Sequence, residues 1–454
     1  MIHCWKNRFI LILTTTVLLF GFQLPSAAQE KPENQVPAFT LTEARAYAME
    51  HAYSIKDAEL DIKASKKDIW KTISTGLPQV KKSFTYQHNL EIGSNVIDFG
   101  GQKQEIKFGT PFNTTANITI DQKVFDGSYI IGLKASKIYL QLAKNVKTKT
   151  KIDIKENVAN SYYLVLAAEE NKRILEENLE NARTNLMEVN EYYKNGFREA
   201  LDVEQMELLV KQAENRLADA QRQVESSRAV LKFVMGMDVN KKIVLKDSLK
   251  QHINNALNKE HSLSVDPLAM KNHIDYRIGL DNLKAQDMLV KNEKAGFWPK
   301  ISLFYNRSYT AMTDTGNIFA SGTEWRKSSA IGLKISMPVI DFGGRSADLA
   351  KAKINRRKAQ NQLEMTRQNL VKEFKVVSAN FKSSLQTYTN SIQARDLANK
   401  IYCKTVIKFN NGLADSSVLN QNQNQFLQAH AESINATVNL LANCLEMKKI
   451  SSQL

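Results

Sequence analysis

Apolar and polar positions alternate along this chain with two distinct periods. Between Ser128 and Tyr193 there is no proline, and Gly132 is the one internal glycine. Toward the end of that stretch Leu175, Leu179, Ala182, Leu186, Val189 and Tyr193 are spaced by four and three. After Asn195-Gly196, Val203, Met206, Val210, Ala213, Leu217, Ala220 and Val224 continue by three and four. Alternating steps of three and four put the apolar residues on a narrow stripe, the seam of a coiled coil. The same frame recurs 216 residues on, at Leu419, Asn422, Phe426, Ala429, Ser433, Ala436 and Leu440, with several polar or small members and so looser expected packing. A helix of roughly 65 residues at 1.5 Å per residue is a rod near 100 Å long. Such a rod cannot fold into a sphere and must lie beside others. Asn-Gly pairs at 195–196 and 411–412 allow positive φ and predict the reversals at the rod ends.

Elsewhere the period is two. Val80, Phe84 and Tyr86 oppose Lys81, Ser83, Thr85 and Gln87; Ala116, Ile118, Ile120 and Val124 oppose Asn117, Thr119, Asp121 and Lys123. Ile301, Leu303, Tyr305 and Tyr309 oppose Ser302, Asn306, Ser308 and Thr310; Ile331, Leu333, Ile335, Met337 and Val339 oppose Gly332, Lys334 and Ser336. Four strands with one apolar face each are predicted. Taken alone, the alternation fits a soluble sheet with one buried face as well as it fits membrane strands. Lys82, His88 and Arg307 interrupt the apolar faces, at positions suited to lipid headgroups.

These elements occur twice. Gly76-Leu77-Pro78-Gln79-Val80 matches Phe297-Trp298-Pro299-Lys300-Ile301 at an offset of 221, and Val124-Phe125-Asp126-Gly127 matches Val339-Ile340-Asp341-Phe342 at 215. Tyr193-Lys194-Asn195-Gly196 matches Phe409-Asn410-Asn411-Gly412 at 216. Each half reads helix, proline, strand, loop, strand, Asp-Gly turn, very long helix, Asn-Gly turn, helix. The expected organisation is a leader at 1–28, a first repeat at 29–236, a connector at 237–265 and a second repeat at 266–454.

The leader has Lys6 and Arg8, an apolar run from Phe9 to Phe22 and Ser26-Ala27-Ala28 before Gln29, the form of a cleaved secretory signal. No later run is long and apolar enough for a membrane helix, which leaves export to the periplasm or medium, or a β-barrel. A barrel in lipid tolerates no free strand edge, and bacterial barrels need about eight strands or more. Four strands per chain therefore require several copies. Three give twelve strands and a tube of twelve helices. Exported cysteines often pair, but Cys403 and Cys444 would be offset by about 35 Å on antiparallel helices, so both are expected to be free, buried and inert.

The formal charge of +15 falls by two, to +13, without Lys6 and Arg8. The lysines are spread over helix faces, without the aromatic-interleaved patch of a nucleic-acid site. His51, His88, His252, His261, His273 and His430 are scattered, and no metal-ligand spacing or phosphate loop occurs. No enzyme, metal or cofactor is expected.

The ordered anchors carry a family likeness. Leu77-Pro78 at the helix-to-strand join, Asp126-Gly127 and Asp341-Phe342-Gly343-Gly344 after the second strands, and aromatic-x-x-Gly at the helix tips resemble the TolC-like outer-membrane efflux channels, from about Leu41 to Leu445. The resemblance implies a mainly α fold with β: a trimeric α-helical barrel in the periplasm joined to a 12-stranded transmembrane β-barrel. It implies an exit duct of a tripartite efflux or type I secretion system in the outer membrane of a Gram-negative bacterium. Partners would be two further copies, a periplasmic adaptor, an inner-membrane pump and outer-membrane lipid, with no nucleic acid.

The implied docking tips are Asn195, Gly196, Phe197 and Arg198, with Asn411, Gly412, Leu413 and Ala414. Lipid-facing residues would be Val80, Phe84, Tyr86, Ile118, Ile120, Leu303, Tyr305, Ile331, Leu333 and Ile335. Well-known members narrow the entrance with two aspartates after the second tip; here those positions are Val418 and Gln421, with Asp202 and Gln205 in the first half. The tip arginine that latches other members is Ala414 here, and Arg198 stands at the first-half equivalent. The rival reading is a periplasmic adaptor with a coiled-coil hairpin. Two hairpins, each preceded by two alternating strands, favour the duct.

Overall fold

The computed structural model describes residues 36–107, 109–257 and 271–454. The leader and the end of the connector lie outside them. In chain order the elements are β1 (Ala38–Phe39), α1 (Leu41–His51), α2 (Tyr53–Ser74), β2 (Gln79–His88), β3 (Ser94–Phe99), β4 (Gln102–Lys107), β5 (Phe112–Phe125), α3 (Gly127–Lys194), α4 (Ala200–Met235), β6 (Val244–Leu245), α5 (Leu249–Leu257), α6 (Ile274–Ala295), β7 (Lys300–Thr313), β8 (Trp325–Ser336), α7 (Gly344–Asn410) and α8 (Ser416–Ile450). None of the described helices is long and apolar enough to cross a membrane.

The two rods, α3 and α7, have 68 and 67 residues. Each starts where an aspartate satisfies free amides at the strand-to-helix turn. Asp126 accepts from the amides of Ser128 and Tyr129, and Asp341 from those of Gly343 and Arg345. α4 returns along α3, and α8 along α7. The seams are the periodic stripes: Leu175, Leu179, Ala182 and Val189 of α3 are buried, as are Met206, Val210, Ala213, Ala220 and Val224 of α4. α6 lies between α3 and α7, whereas α2, its counterpart in the first repeat, packs along α3 and leaves Leu60 57% and Trp70 60% exposed.

The four expected strands form one antiparallel sheet in the order β2-β5-β7-β8. Gln79 pairs with Asp121 and Lys300 with Ser336, and the repeat offsets of 221 and 215 carry the first pair onto the second. The register therefore reproduces the duplication. Val80, Ile120, Tyr305 and Ile331 form one cross-strand row, and Leu303 pairs with Leu333 and Ile301 with Ile335 on the same face. Lys82, Ile118 and Arg307 form the next row, with Arg307 over the Tyr309 ring at 5.3 Å. The connection between β2 and β5, expected as a loop, contains the hairpin β3–β4, turned at Gly100 and Gly101 with φ of 67° and 95°.

The main core lies where the hairpins meet the connector. Tyr162, Val158, Val165, Leu231, Met235, Leu440 and Leu441 are buried there with Ala44 and Ala48 of α1. The Tyr162 hydroxyl reaches the Phe39 carbonyl at 2.9 Å and the Asp247 carboxylate at 3.1 Å, and burial raises its pKa. Asp247 also accepts from the Leu41 amide at 2.8 Å, so the connector is tied to the first helix. Parallel pairing of β1 with β6 adds a second tie.

Cys403 and Cys444 are both free. Cys444 is buried as expected, but Cys403 is exposed. The seam of α7 here runs through Tyr402, Thr405 and Phe409, all buried, and one residue past Tyr402 is about 100° around the helix, off the seam.

Candidate functional site: the hairpin tips and the open sheet

Both helical hairpins reverse by the same device. Asn195 and Asn411 end their helices, and each side-chain amide donates to a carbonyl one turn back, Glu191 and Ile407, at 2.7 Å. Gly196 and Gly412 follow with φ of 79° and 72°. The amides of Phe197 and Leu413 then bond back to the Tyr192 and Lys408 carbonyls, at 2.9 and 2.8 Å, closing Schellman-type ends. A consequence is that Phe197 and Leu413 are thrown outward, 78% and 77% exposed. Two large apolar side chains thus stand at equivalent points on the two tips.

The residues after the glycines tie the hairpins together. Arg198 crosses to the second tip, where its Nη2 donates to the Phe409 carbonyl at 2.6 Å and its guanidinium lies 4.5 Å from the Phe409 ring centre. Its Nη1 is 3.7 Å from Asp202 Oδ2. Asp202 in turn accepts from the Ser416 hydroxyl at 2.9 Å, and that hydroxyl also lies against Gln205 Oε1. Beneath this polar layer Val189, Met206, Leu209, Tyr402, Phe409 and Leu419 form a buried cluster, with Ala414 packed against it. Asp415 caps α8 by accepting from the Val418 amide at 2.9 Å.

Of the expected entrance residues, the structure brings Asp202 and Gln205 together with Arg198. Val418 and Gln421 are not in that group; both are exposed on α8's first turns. The sequence alone does not mark two members of the tie. Ser416 is 211 residues from Gln205 and 214 from Asp202, and no local pattern marks it. Phe409 was recognisable as a repeated aromatic, but not as the acceptor for Arg198.

At the other end, the four-stranded sheet has its apolar rows on one face and leaves β2 and β8 as edges. Val80, Phe84, Tyr86, Ile118, Leu303, Ile331, Leu333 and Ile335 are all exposed, while Ile120 and Tyr305 are half-buried. Exposed apolar faces of this extent normally mark a contact surface.

Comparison with known proteins matches this arrangement. The model of the outer membrane efflux protein family fits residues 46–237 and 277–451. No curated protein sequence matches. Among solved structures, the Campylobacter jejuni CmeC outer membrane channel is similar at a TM-score of 0.71 and 16% identity, over 91% of this chain and 85% of that one. The outer membrane protein VceC from Vibrio cholerae gives 0.68 and 16%, over 90% and 95%. The open state of the Neisseria gonorrhoeae MtrE outer membrane channel gives 0.65 and 15%, over 90% and 88%. At these identities the structural likeness is one of fold, and it does not favour the adaptor reading. The family model covers most of the chain, which therefore belongs to the outer membrane efflux protein family, the TolC-like channels of the Gram-negative outer membrane with their large periplasmic helical part.

Proposed function

We propose that three copies of this chain form a passive exit duct, a twelve-stranded barrel continued by a tube of helices, which receives cargo from an inner-membrane pump through a periplasmic adaptor. The carrying observation is that the duplicated pattern is satisfied inside the chain once and left open at both flanks. β5 of the first repeat pairs with β7 of the second, yet β8 and β2 have no outer neighbour in the sheet. Likewise α6 fills the groove between α3 and α7, while its counterpart α2 is left with Leu60 and Trp70 uncovered. On the flank of the first repeat a neighbouring copy would supply both missing parts, its β8 beside β2 and its α7 beside α2, and the rule against free edges in hydrocarbon makes the closure necessary.

The repeat also supplies a register for that junction. Carrying the Ile118–Arg307 and Ile120–Tyr305 pairings onto this junction, forward by 215 residues for β5 and back by 221 for β7, puts Leu333 opposite Tyr86 of the next copy, and Ile335 opposite Phe84. The ten apolar residues from Val80 to Ile335 named above would then face lipid. Phe197 and Leu413, with the glycine turns behind them, would dock the adaptor. The gate would be a small movement of the tips about the Arg198, Asp202, Gln205 and Ser416 tie. No chemistry is performed by the chain in this reading; energy comes from the pump.

Paired cysteines test it: Ile335→Cys with Phe84→Cys in a chain that also has Cys403→Ser. Oxidation in isolated outer membranes is expected to give a covalent ring of three chains, and neither single variant should do so. Monomeric chains after oxidation, from a protein that sediments as a water-soluble monomer, would refute the duct. Transport is read separately, by compound tolerance and secretion in a sensitised host lacking the gene.

A further inference from the structure

We infer that the transmembrane wall selects for anions, so that the cargo class favoured by this duct is anionic; the inference rests on the barrel reading above. The sheet face opposite the apolar rows would line the water-filled lumen. Its residues follow from the register: alternate positions beginning at Gln79 on β2, Asn113 on β5, Lys300 on β7 and Arg326 on β8. Five of them are cations, Lys81, Lys123, Lys300, Arg326 and Lys334, and one, Asp121, is an anion. The remaining positions are mostly hydroxyl or amide side chains, such as Ser83, Asn117, Asn306 and Ser308.

The cations are spread along the wall. Lys123 and Lys334 share a cross-strand row through Ser302, and Lys300 pairs with Ser336 beside it. Lys81 stands higher, opposite Thr119, and Arg326 near the outer end, opposite Thr310. Only Lys123 has a carboxylate at hand, Asp126 at 3.7 Å; the other four have no ion pair among the described residues. A wall with a repeated excess of one sign concentrates the opposite ion and raises the barrier to its own. The entrance does not oppose this: Asp202, the one carboxylate at the four entrance positions, is engaged by Arg198 and Ser416. The outer connections have the opposite balance, with Glu91, Asp98, Glu105, Asp314 and Glu324 against Lys103 and Lys107. They lie beyond the strand ends, so the inference concerns the wall and not the outer mouth.

The experiment is the reversal potential of the purified full-length protein in planar lipid bilayers under a potassium chloride gradient. Chloride is expected to permeate at least roughly threefold better than potassium near 0.1 M salt, where the Debye length is about 10 Å, and the preference should shrink toward unity near 1 M, where it is about 3 Å. K81E/K300E/R326E/K334E should invert the preference, and the milder K81Q/K300Q/R326Q/K334Q should abolish it. A wild-type channel that prefers potassium would overturn the inference and leave the duct intact, as would substituted channels, glutamine or glutamate, whose reversal potential matches wild type. Absence of any conductance would overturn the barrel reading and this inference with it.

Discussion

Replacing Arg198 with alanine isolates the tie between the two hairpins of one chain. The side chain is 14% exposed and makes three contacts: a charge-assisted hydrogen bond to the Phe409 carbonyl, a ring contact at 4.5 Å and a looser ion pair with Asp202 at 3.7 Å. A hydrogen bond to a charged group contributes about 1.5–3 kcal/mol, and a part-desolvated cation over an aromatic ring about 0.5–2 kcal/mol. The ion pair adds little, about 0–1 kcal/mol. Contacts that share one side chain are not additive, so about 2–3 kcal/mol is a fair figure for the tie. At about 1.4 kcal/mol per tenfold, its loss raises the population with separated tips roughly 30- to 100-fold. Amide hydrogen exchange of the assembled protein in detergent measures this directly. Amides at the end of α7 and the start of α4 should exchange faster by about that factor, while those around Tyr162 keep their wild-type rates. Phe197→Ala, which removes an exposed side chain of the same tip, is the control and should change little. Tip exchange in Arg198→Ala within about threefold of wild type would refute the assignment of Arg198 as the tie.

Four further outcomes follow from the same physical terms. Gly196→Ala meets open space and should cost only the left-handed backbone strain, about 1–2 kcal/mol. Gly236→Ala, at φ 71°, would bring its Cβ to 2.4 Å from the His51 carbonyl oxygen and should cost at least about 3 kcal/mol in denaturant unfolding. A maleimide should label Cys403 in the native protein within minutes and leave Cys444 unmodified until unfolding, since burial both shields that thiol and raises its pKa. Burial lowers the pKa of His430, which packs near Glu170, Arg173 and Glu177 of α3 and Arg395 of α7 and has an unpartnered Nε2. The unfolded chain then binds the extra proton first, so stability should be flat above pH 6.5 and fall as pH drops below it; His430→Asn should flatten that slope, with His273 supplying the remainder.

The sequence made the repeating skeleton legible because its signals are local and periodic. The spacing from Leu175 to Val224 specifies a seam whatever surrounds it, and the offsets that align Pro78 with Pro299 also set the strand register. Signals were weaker where period and composition disagree. The hairpin at 94–107 has a Gly-Gly turn, but its strand Gln102–Lys107 is almost wholly polar, so alternation does not reveal it. The break between α1 and α2 at Ala52 has no proline or glycine; it comes from packing against the Gly236 turn, which lies against Ala52 and the His51 carbonyl. Cys403 departs from its expected burial because a single residue step turns about 100° around a helix, off the seam. Ser416 was invisible for a different reason: its partners lie more than two hundred residues away, and only the folded tips bring them together.

The duplication described above leaves the two tips alike in backbone and unlike in side chain. The first ends in Phe197-Arg198 and the second in Leu413-Ala414. Around a closed assembly these would alternate, making a crown of six teeth in two kinds. A partner that grips only the Asn-Gly backbone meets six interchangeable positions, whereas one that reads the phenylalanine or the leucine meets three. Under the proposed docking, the stoichiometry of the partner would follow from which side chain it recognises.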